Sequence, residues 1–214
     1  MQYQTQKAPL EALELLGDFH PLVEQLGTVD GLVTLTGVSE TLHLGRIDTL
    51  DALRIFLRDY HTRILCPIEL PAIQTAWNHG SRSELRELVA FDQKLANEPI
   101  LRNFAGASRR VGQGQLQKLR PLRDERIVQR YLAAVDVKQA HGWHTLVFGL
   151  TLAVYSLPLR QGLFGYAHQT TRGFIHAATR SLDFSPAEGR AVFDEICEPL
   201  PAAIEAMLAS GIGH

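Results

Sequence analysis

Hydrophobic positions along the chain recur mostly at three- and four-residue spacing, the mark of helices that bury one face. One stretch departs from this pattern. Trp143-His144-Thr145-Leu146-Val147-Phe148-Gly149 continues into a nearly unbroken apolar segment ending at Ser156. Such a run reads as a helix buried on all sides, and it is shorter than the roughly 18 residues a membrane span needs. Leu157-Pro158-Leu159 breaks it, and a second segment runs through Gly162, Gly165 and Gly173 to Arg180. Pro158 suits the first turn of that second helix, where a missing N–H costs nothing. The small residues along it let neighbouring backbones approach. The spacing predicts a central helical hairpin over 144–181, with the rest of the chain packed on it.

The flanking pattern is helical as well. Residues 1–8 read as a loose tail. Leu10, Leu13, Leu15, Leu16 and Phe19 predict a short helix, and His20-Pro21 opens another with Leu22, Val23 and Leu26. Residues 27–47 are ambiguous: their Gly, Val, Thr and Leu mixture suits strand by propensity, Thr41–Leu44 suits a helix end, and helix broken by loops is favoured. Asp48 or Thr49 caps a helix carrying Leu50, Leu53, Phe56, Leu57, Ile64 and Leu65. Pro67 and Pro71 bracket a break, with a short helix over 70–78 that Gly80 ends. Ser81-Arg82-Ser83-Glu84 has capping-box spacing ahead of Leu85, Leu88 and Leu95. Pro99 starts a helix that Pro121 stops, and Asp124 to Val135 forms the next. Ser185-Pro186-Ala187-Glu188 is a second capping box. Pro199 and Pro201 interrupt that helix, and Gly211 ends the last. No run alternates with period two. The reading is all-α: one domain over 1–214, with eight to ten helices and no internal repeat.

Composition changes the picture only by exclusion. A net charge of −2 over 214 residues provides no global field for nucleic acid or an anionic membrane. Cys66 and Cys197 sit in apolar surroundings without C-x-x-C spacing, as buried reduced thiols do. Met1–Pro9 is polar and lacks the apolar core of a signal peptide, so a cytoplasmic location is expected. The chain contains no phosphate-binding P-loop, G-x-S-x-G or H-E-x-x-H pattern. Nine histidines raise the question of a metal. His168 and His176 share a helix face but stand ~12 Å apart by helical rise, and His141 and His144 lack an acidic or thiol partner nearby. His43, His61 and His79 have no useful spacing. The carboxylates, Glu69, Asp92 and Glu195 among them, are scattered. No catalytic residue, cofactor or metal ligand is therefore expected. Arg102, Arg109, Arg110, Lys118, Arg120, Arg123, Arg126 and Arg130 cluster against only Asp124 and Glu125. They form either a solvated helix face or a patch for an acidic protein partner; without interleaved aromatics, nucleic acid is disfavoured.

Three patches, in order, resemble the urease accessory protein F (UreF) family over about 48–205. Arg102-Asn103-Phe104-Ala105-Gly106-Ala107-Ser108-Arg109-Arg110-Val111-Gly112 is similar to a family helix with a Ser four residues before a Gly. His144-Thr145-Leu146-Val147-Phe148-Gly149, followed by Leu157-Pro158-Leu159, is similar to its "HP-x-VFG … G-x-PL" signature. Gly165 to Gly189 resembles a third segment, with Arg180 and Gly189 in register. The N-terminal signature departs: Gly31, Thr36 and Glu40 keep a glycine, a hydroxyl and an acid, but the aromatics and second glycine are lost. Asp183-Phe184-Ser185-Pro186 replaces the motif expected after Arg180.

The resemblance implies an all-α homodimer without catalysis of its own. Such a protein binds urease accessory protein D (also called H), recruits the accessory GTPase UreG, and helps load nickel into apo-urease. It also nominates Gly31, Thr36, Glu40, Arg102, Ser108, Arg109, Arg110, Gly112, His144, Arg180 and Gly189 as lying on or beneath partner faces. Two other classes stay open. One is a small helical enzyme with a pocket of His144, His168 and Glu side chains. The other is a helical scaffold unrelated to urease.

Overall fold

The computed structural model describes residues 39, 42–103, 105–179 and 182–210. The helices expected within 10–26, most of the ambiguous 27–47 stretch, and Gly211 lie outside them. The described residues form helices and turns with no strand, in agreement with the all-α reading. Helix α1 (Leu50–Tyr60) starts as predicted: the Thr49 hydroxyl caps it by accepting from the Ala52 N–H at 3.1 Å. It then runs through a π-helical segment, His61–Glu69, into α2 (Leu70–Ser81). The break expected at Pro67 and Pro71 is therefore replaced by one long rod. In an α-helix a proline ring strikes the carbonyl four residues back. The wider π turn shifts bonding to five residues, as from the Leu70 N–H to the Leu65 carbonyl, and relieves that clash at Pro67. Pro71 falls in the first turn of α2, where proline is tolerated.

The chain continues as α3 (Leu85–Leu95), a 3-10 turn (Pro99–Leu101), α4 (Ala105–Lys118), α5 (Arg126–Asp136), α6 (His144–Val154), α7 (Leu159–Ala178), α8 (Pro186–Cys197) and α9 (Leu200–Ser210). These nine α-helical segments form eight rods among the described residues, because the π segment joins α1 to α2.

The helix ends show a shared device. His43, Ser83, Lys138 and Ser156 adopt left-handed φ of 59°, 57°, 62° and 54°. In each case the next residue's N–H reaches back five positions to a helix carbonyl: Leu44 to Ser39, Glu84 to His79, Gln139 to Ala134 and Leu157 to Leu152, at 2.8–3.0 Å. This is the Schellman closure, built here without glycine. It explains two departures from expectation. Gly80 does not end α2; it is buried against Ala153 and Leu150 of α6. The Ser81–Glu84 capping box does not form, because Ser83 is spent on the left-handed turn. Glu84 makes no capping bond and instead pairs with His79 Nδ1 at 2.8 Å. The second predicted box does form: Ser185 and Glu188 cap each other's backbone N–H at the start of α8.

Helix α6 is the centre of the molecule, with every residue from His144 to Leu152 buried. Its principal neighbour is α2 rather than its hairpin partner α7. Ala72, Ala76 and Gly80, spaced four apart, put a small-residue seam along α2. A Cβ on Gly149 would stand 2.4 Å from the Ile73 carbonyl oxygen and 2.9 Å from the Ala76 Cβ. The close approach predicted along α7 is thus made chiefly between α2 and α6. Arg54 and Arg58 of α1 both pair with Glu195 of α8, and Arg160 of α7 pairs with Glu205 of α9 at 2.6 Å.

Candidate functional site

The elements around α6 bring together the polar groups of an otherwise apolar core. The Asp92 carboxylate, wholly buried on α3, accepts from the Tyr131 hydroxyl at 2.6 Å and from the His141 and Gly142 backbone N–H groups at 2.6 and 2.9 Å. This anchors the loop ahead of α6, where Gly142 has a φ of +70°. Helix α4 lies directly on that loop. A Cβ on Gly112 would sit 2.1 Å from the Gly142 carbonyl oxygen and 2.6 Å from the His144 nitrogen, so only glycine allows this packing. The Arg109 guanidinium covers the Trp143 ring at 4.8 Å from its centroid, a cation–π contact.

This packing points His144 into the core. Its Nδ1 meets Ser108 Oγ of α4 at 2.6 Å. Its Nε2 hydrogen-bonds the Tyr166 hydroxyl of α7, and the two rings stack with centroids 5.5 Å apart. The Tyr166 hydroxyl also reaches the Glu69 carboxylate at the end of the π segment, to which the Tyr60 hydroxyl donates. A single string of polar groups thus crosses five elements: Ser108, His144, Tyr166, Glu69 and Tyr60. Burial sets their acidities. It pushes the Glu69 carboxyl up to about 7 against the pull of the two tyrosine hydroxyls, and holds His144 down at about 4. Tyr60 and Tyr166 are raised well above the ordinary phenol range, first by burial and then by the Glu69 charge. A separate pair lies nearby. The Thr171 hydroxyl donates to the Ala167 carbonyl at 2.8 Å, so it accepts from His61 Nε2–H, also at 2.8 Å. Burial, then neighbouring His168, lowers His61 to about 4.

Two small cavities flank the string. One, of about 20 Å³, lies over His144 and Tyr166 beneath Val111, Val147 and Phe148. The other, of about 10 Å³, lies between Glu69, Ser108 and Trp143. A water needs roughly 10–15 Å³, so each is water-sized at most and neither accommodates an organic substrate. The pocket of His144, His168 and Glu that an enzyme would need is not assembled. His168 packs against Phe193, with ring centroids 5.4 Å apart, and against Phe164. Among the described residues no group of three metal-ligating side chains converges, and no helix is long and apolar enough to cross a membrane.

The nominated residues divide by location. Ser108, Gly112, His144 and Gly189 are buried, Arg109 is half-buried, and Arg102 and Arg110 are exposed. Ser108 and His144 meet directly, with Gly112 packed on the same loop. Gly189 stands apart at the start of α8 against Phe184 and Ile175. Gly31, Thr36, Glu40 and Arg180 lie outside the described residues. Lys118, Arg120, Arg123, Arg126 and Arg130 are exposed on α4, α5 and the turn between them, and Arg120 reaches Asp136 at 3.4 Å. Sequence reasoning did not connect Glu69 with His144 and did not single out Tyr166, which joins them. The available signal was a lone carboxylate within the apolar stretch Ile64–Ile73.

The buried Ser108–His144 pair and the glycine beneath it come from the segments whose order pointed to a family, and a comparison over the whole chain bears on that order. The UreF family model matches residues 47–196. The chain belongs to the UreF family. The match runs from just ahead of α1 through nearly all of α8, so it spans every element that contributes to the polar string. UreF proteins are urease accessory proteins, and the partners of a UreF chain belong to the urease accessory complex. Comparison with curated proteins returned no match. As a UreF domain, the chain keeps its Ser, His and Gly signature residues inside, where they set how α4 sits on α6.

Proposed function

We propose that this UreF chain is a non-catalytic, homodimeric, cytoplasmic chaperone for urease maturation. It docks accessory protein D/H and the accessory GTPase UreG, and the assembly delivers nickel to apo-urease. The chain needs no cofactor or resident metal for this role, and it engages neither nucleic acid nor membrane. The observation that carries the reading is the unbroken family match across the helical body, residues 47–196. The inward direction of the reactive side chains supports it, since Ser108, His144 and Glu69 are committed to one another. The exposed cations of α4, α5 and their connecting turn offer an acidic partner protein a complementary face.

The test is reconstitution. The purified chain is mixed with accessory protein D/H and the accessory GTPase, then passed through size-exclusion chromatography with light scattering. A complex holding two copies of this chain and both partners is expected; retention of neither partner, singly or together, would overturn the proposal. The basic face is tested by Arg102→Glu combined with Arg123→Glu and Arg126→Glu, all at exposed positions. Arg109 is left intact because it packs on Trp143. Weaker retention at an unchanged melting temperature is expected, and unchanged retention would remove this face from the docking surface.

A further inference from the structure

We infer that Ser108, His144, Tyr166 and Glu69 form a one-way hydrogen-bond relay that reverses direction, and with it the tautomer of the His144 ring, when Glu69 gains a proton. The inference goes beyond the docking role and does not rest on it.

The geometry leaves each middle group one proton and, along the string, two groups that compete for it. Tyr166 has a single O–H, placed between His144 Nε2 and the Glu69 carboxylate, while the Thr170 hydroxyl beside it serves as a donor to the Tyr166 oxygen in both states. A neutral imidazole has one N–H, placed between Tyr166 and Ser108. An ionised carboxylate only accepts. With Glu69 ionised, Tyr166 donates to it, so the Tyr166 oxygen accepts from His144 Nε2–H. His144 Nδ1 is then bare and accepts from the Ser108 hydroxyl. With Glu69 protonated, the acid donates to Tyr166, Tyr166 donates to Nε2, and Nδ1–H donates to Ser108 Oγ. The protons balance: one enters at Ser108 Oγ, each of Ser108, His144 and Tyr166 passes its own proton one step on, and Glu69 ends as the acid. Tyr60 holds a Glu69 oxygen as donor in both states.

The surroundings isolate this device. Tyr60 from α1, Tyr166 from α7, and Ser108 and His144 across the small cavity are the titratable or polar groups facing Glu69, with Thr145 and the Trp143 indole at the cavity wall. Cys66 of the π segment neighbours Tyr60. α3 and the 3-10 turn present only Leu95 and Leu101. No Lys, Arg or second carboxylate among the described residues lines that cavity. His61 is engaged by Thr171 and neighbours His168 rather than the relay. Burial keeps the His144 ring neutral down to about 4 and places the Glu69 step at about 7, so the ring stays uncharged on both sides of the step. The output is local to α4. Ser108, which changes from donor to acceptor, immediately precedes Arg109 and Arg110.

The test uses the full chain labelled with ¹⁵N-histidine, with the His144 signals assigned through contact with the Tyr166 ring. Nitrogen NMR reads the tautomer and infrared absorption of the protonated carboxyl reads Glu69, both from about pH 5 to about pH 9. The expected result is Nε2–H at the alkaline end and Nδ1–H at the acid end, switching with the carboxyl band. Glu69→Gln, whose amide donates at every pH, should hold Nδ1–H throughout. Tyr166→Phe should move the carboxyl step upward, because it removes one of the hydroxyls that hold the carboxylate, and should uncouple the tautomer from that step. A single His144 tautomer across the range in the unaltered protein overturns the inference, as does a tautomer switch that persists in step with Glu69 in Tyr166→Phe.

Discussion

Replacing the buried acid should make the protein more stable. The perturbation is Glu69→Gln, which keeps the shape, an acceptor for Tyr60 and a donor for Tyr166, and removes the charge. Burial moves the Glu69 carboxyl from its ordinary 4.5 to about 7. The native state therefore holds this proton more tightly than the unfolded chain does. The stability tied to it is fully present below pH 4.5 and declines as pH rises, until it is lost above about 7. At about 1.4 kcal/mol per tenfold in proton affinity, the loss amounts to about 3 kcal/mol. His61 and His144 act in the opposite sense. Both sit at about 4 instead of 6.5, so the unfolded chain takes up their protons first and stability rises with pH between those values. Comparing the two proteins at each pH cancels the histidines. Urea unfolding followed by circular dichroism should give equal stability near pH 4.5 and a Glu69→Gln advantage approaching about 3 kcal/mol at pH 8. A variant that is less stable at pH 8, by a deficit that grows with pH, would refute the reasoning: it would mean that the two tyrosine donors outweigh desolvation.

The unaltered protein should lose stability on the acid side, as two buried histidines charge against one buried acid; a flat urea midpoint between pH 6.5 and 4 would contradict their burial as neutral rings. Gly112→Ala brings its Cβ against the Gly142 carbonyl and the His144 nitrogen, main-chain atoms that cannot swing aside. It should lower stability by about 2 kcal/mol or more and lengthen the Ser108–His144 hydrogen bond, readable in a thermal melt and in the His144 ring shifts. Asp92→Ala leaves the Tyr131 hydroxyl and two backbone N–H groups without an acceptor. The expected loss is about 3–5 kcal/mol, with a smaller loss for Asp92→Asn. Lys138→Gly relieves a left-handed residue at a helix end and should raise stability by about 0.5 kcal/mol in the same urea assay.

Helix identity was legible because it rests on local rules. Thr49 and the Ser185–Glu188 box occupy the cap positions their spacing announces, and the Trp143–Ser156 run becomes the helix buried on every side. The order of three short patches was enough to raise the UreF family, which the match over 47–196 establishes. The errors came where a local rule met a competitor. A π turn absorbed Pro67, and Ser83 closed a helix in place of Gly80, which was needed against α6.

What the chain determines by itself is which segments are helical, where their caps lie, and that the class is all-α, because each follows from neighbours within about four residues. What only the tertiary structure decides is the pairing of α2 with α6 and the meeting of Ser108, His144, Tyr166 and Glu69. Those four residues span 97 positions from Glu69 to Tyr166, and no periodicity relates them. Their acidities are likewise a property of the assembled core, since water leaves the site only when α4, α6, α7 and the π segment close around it.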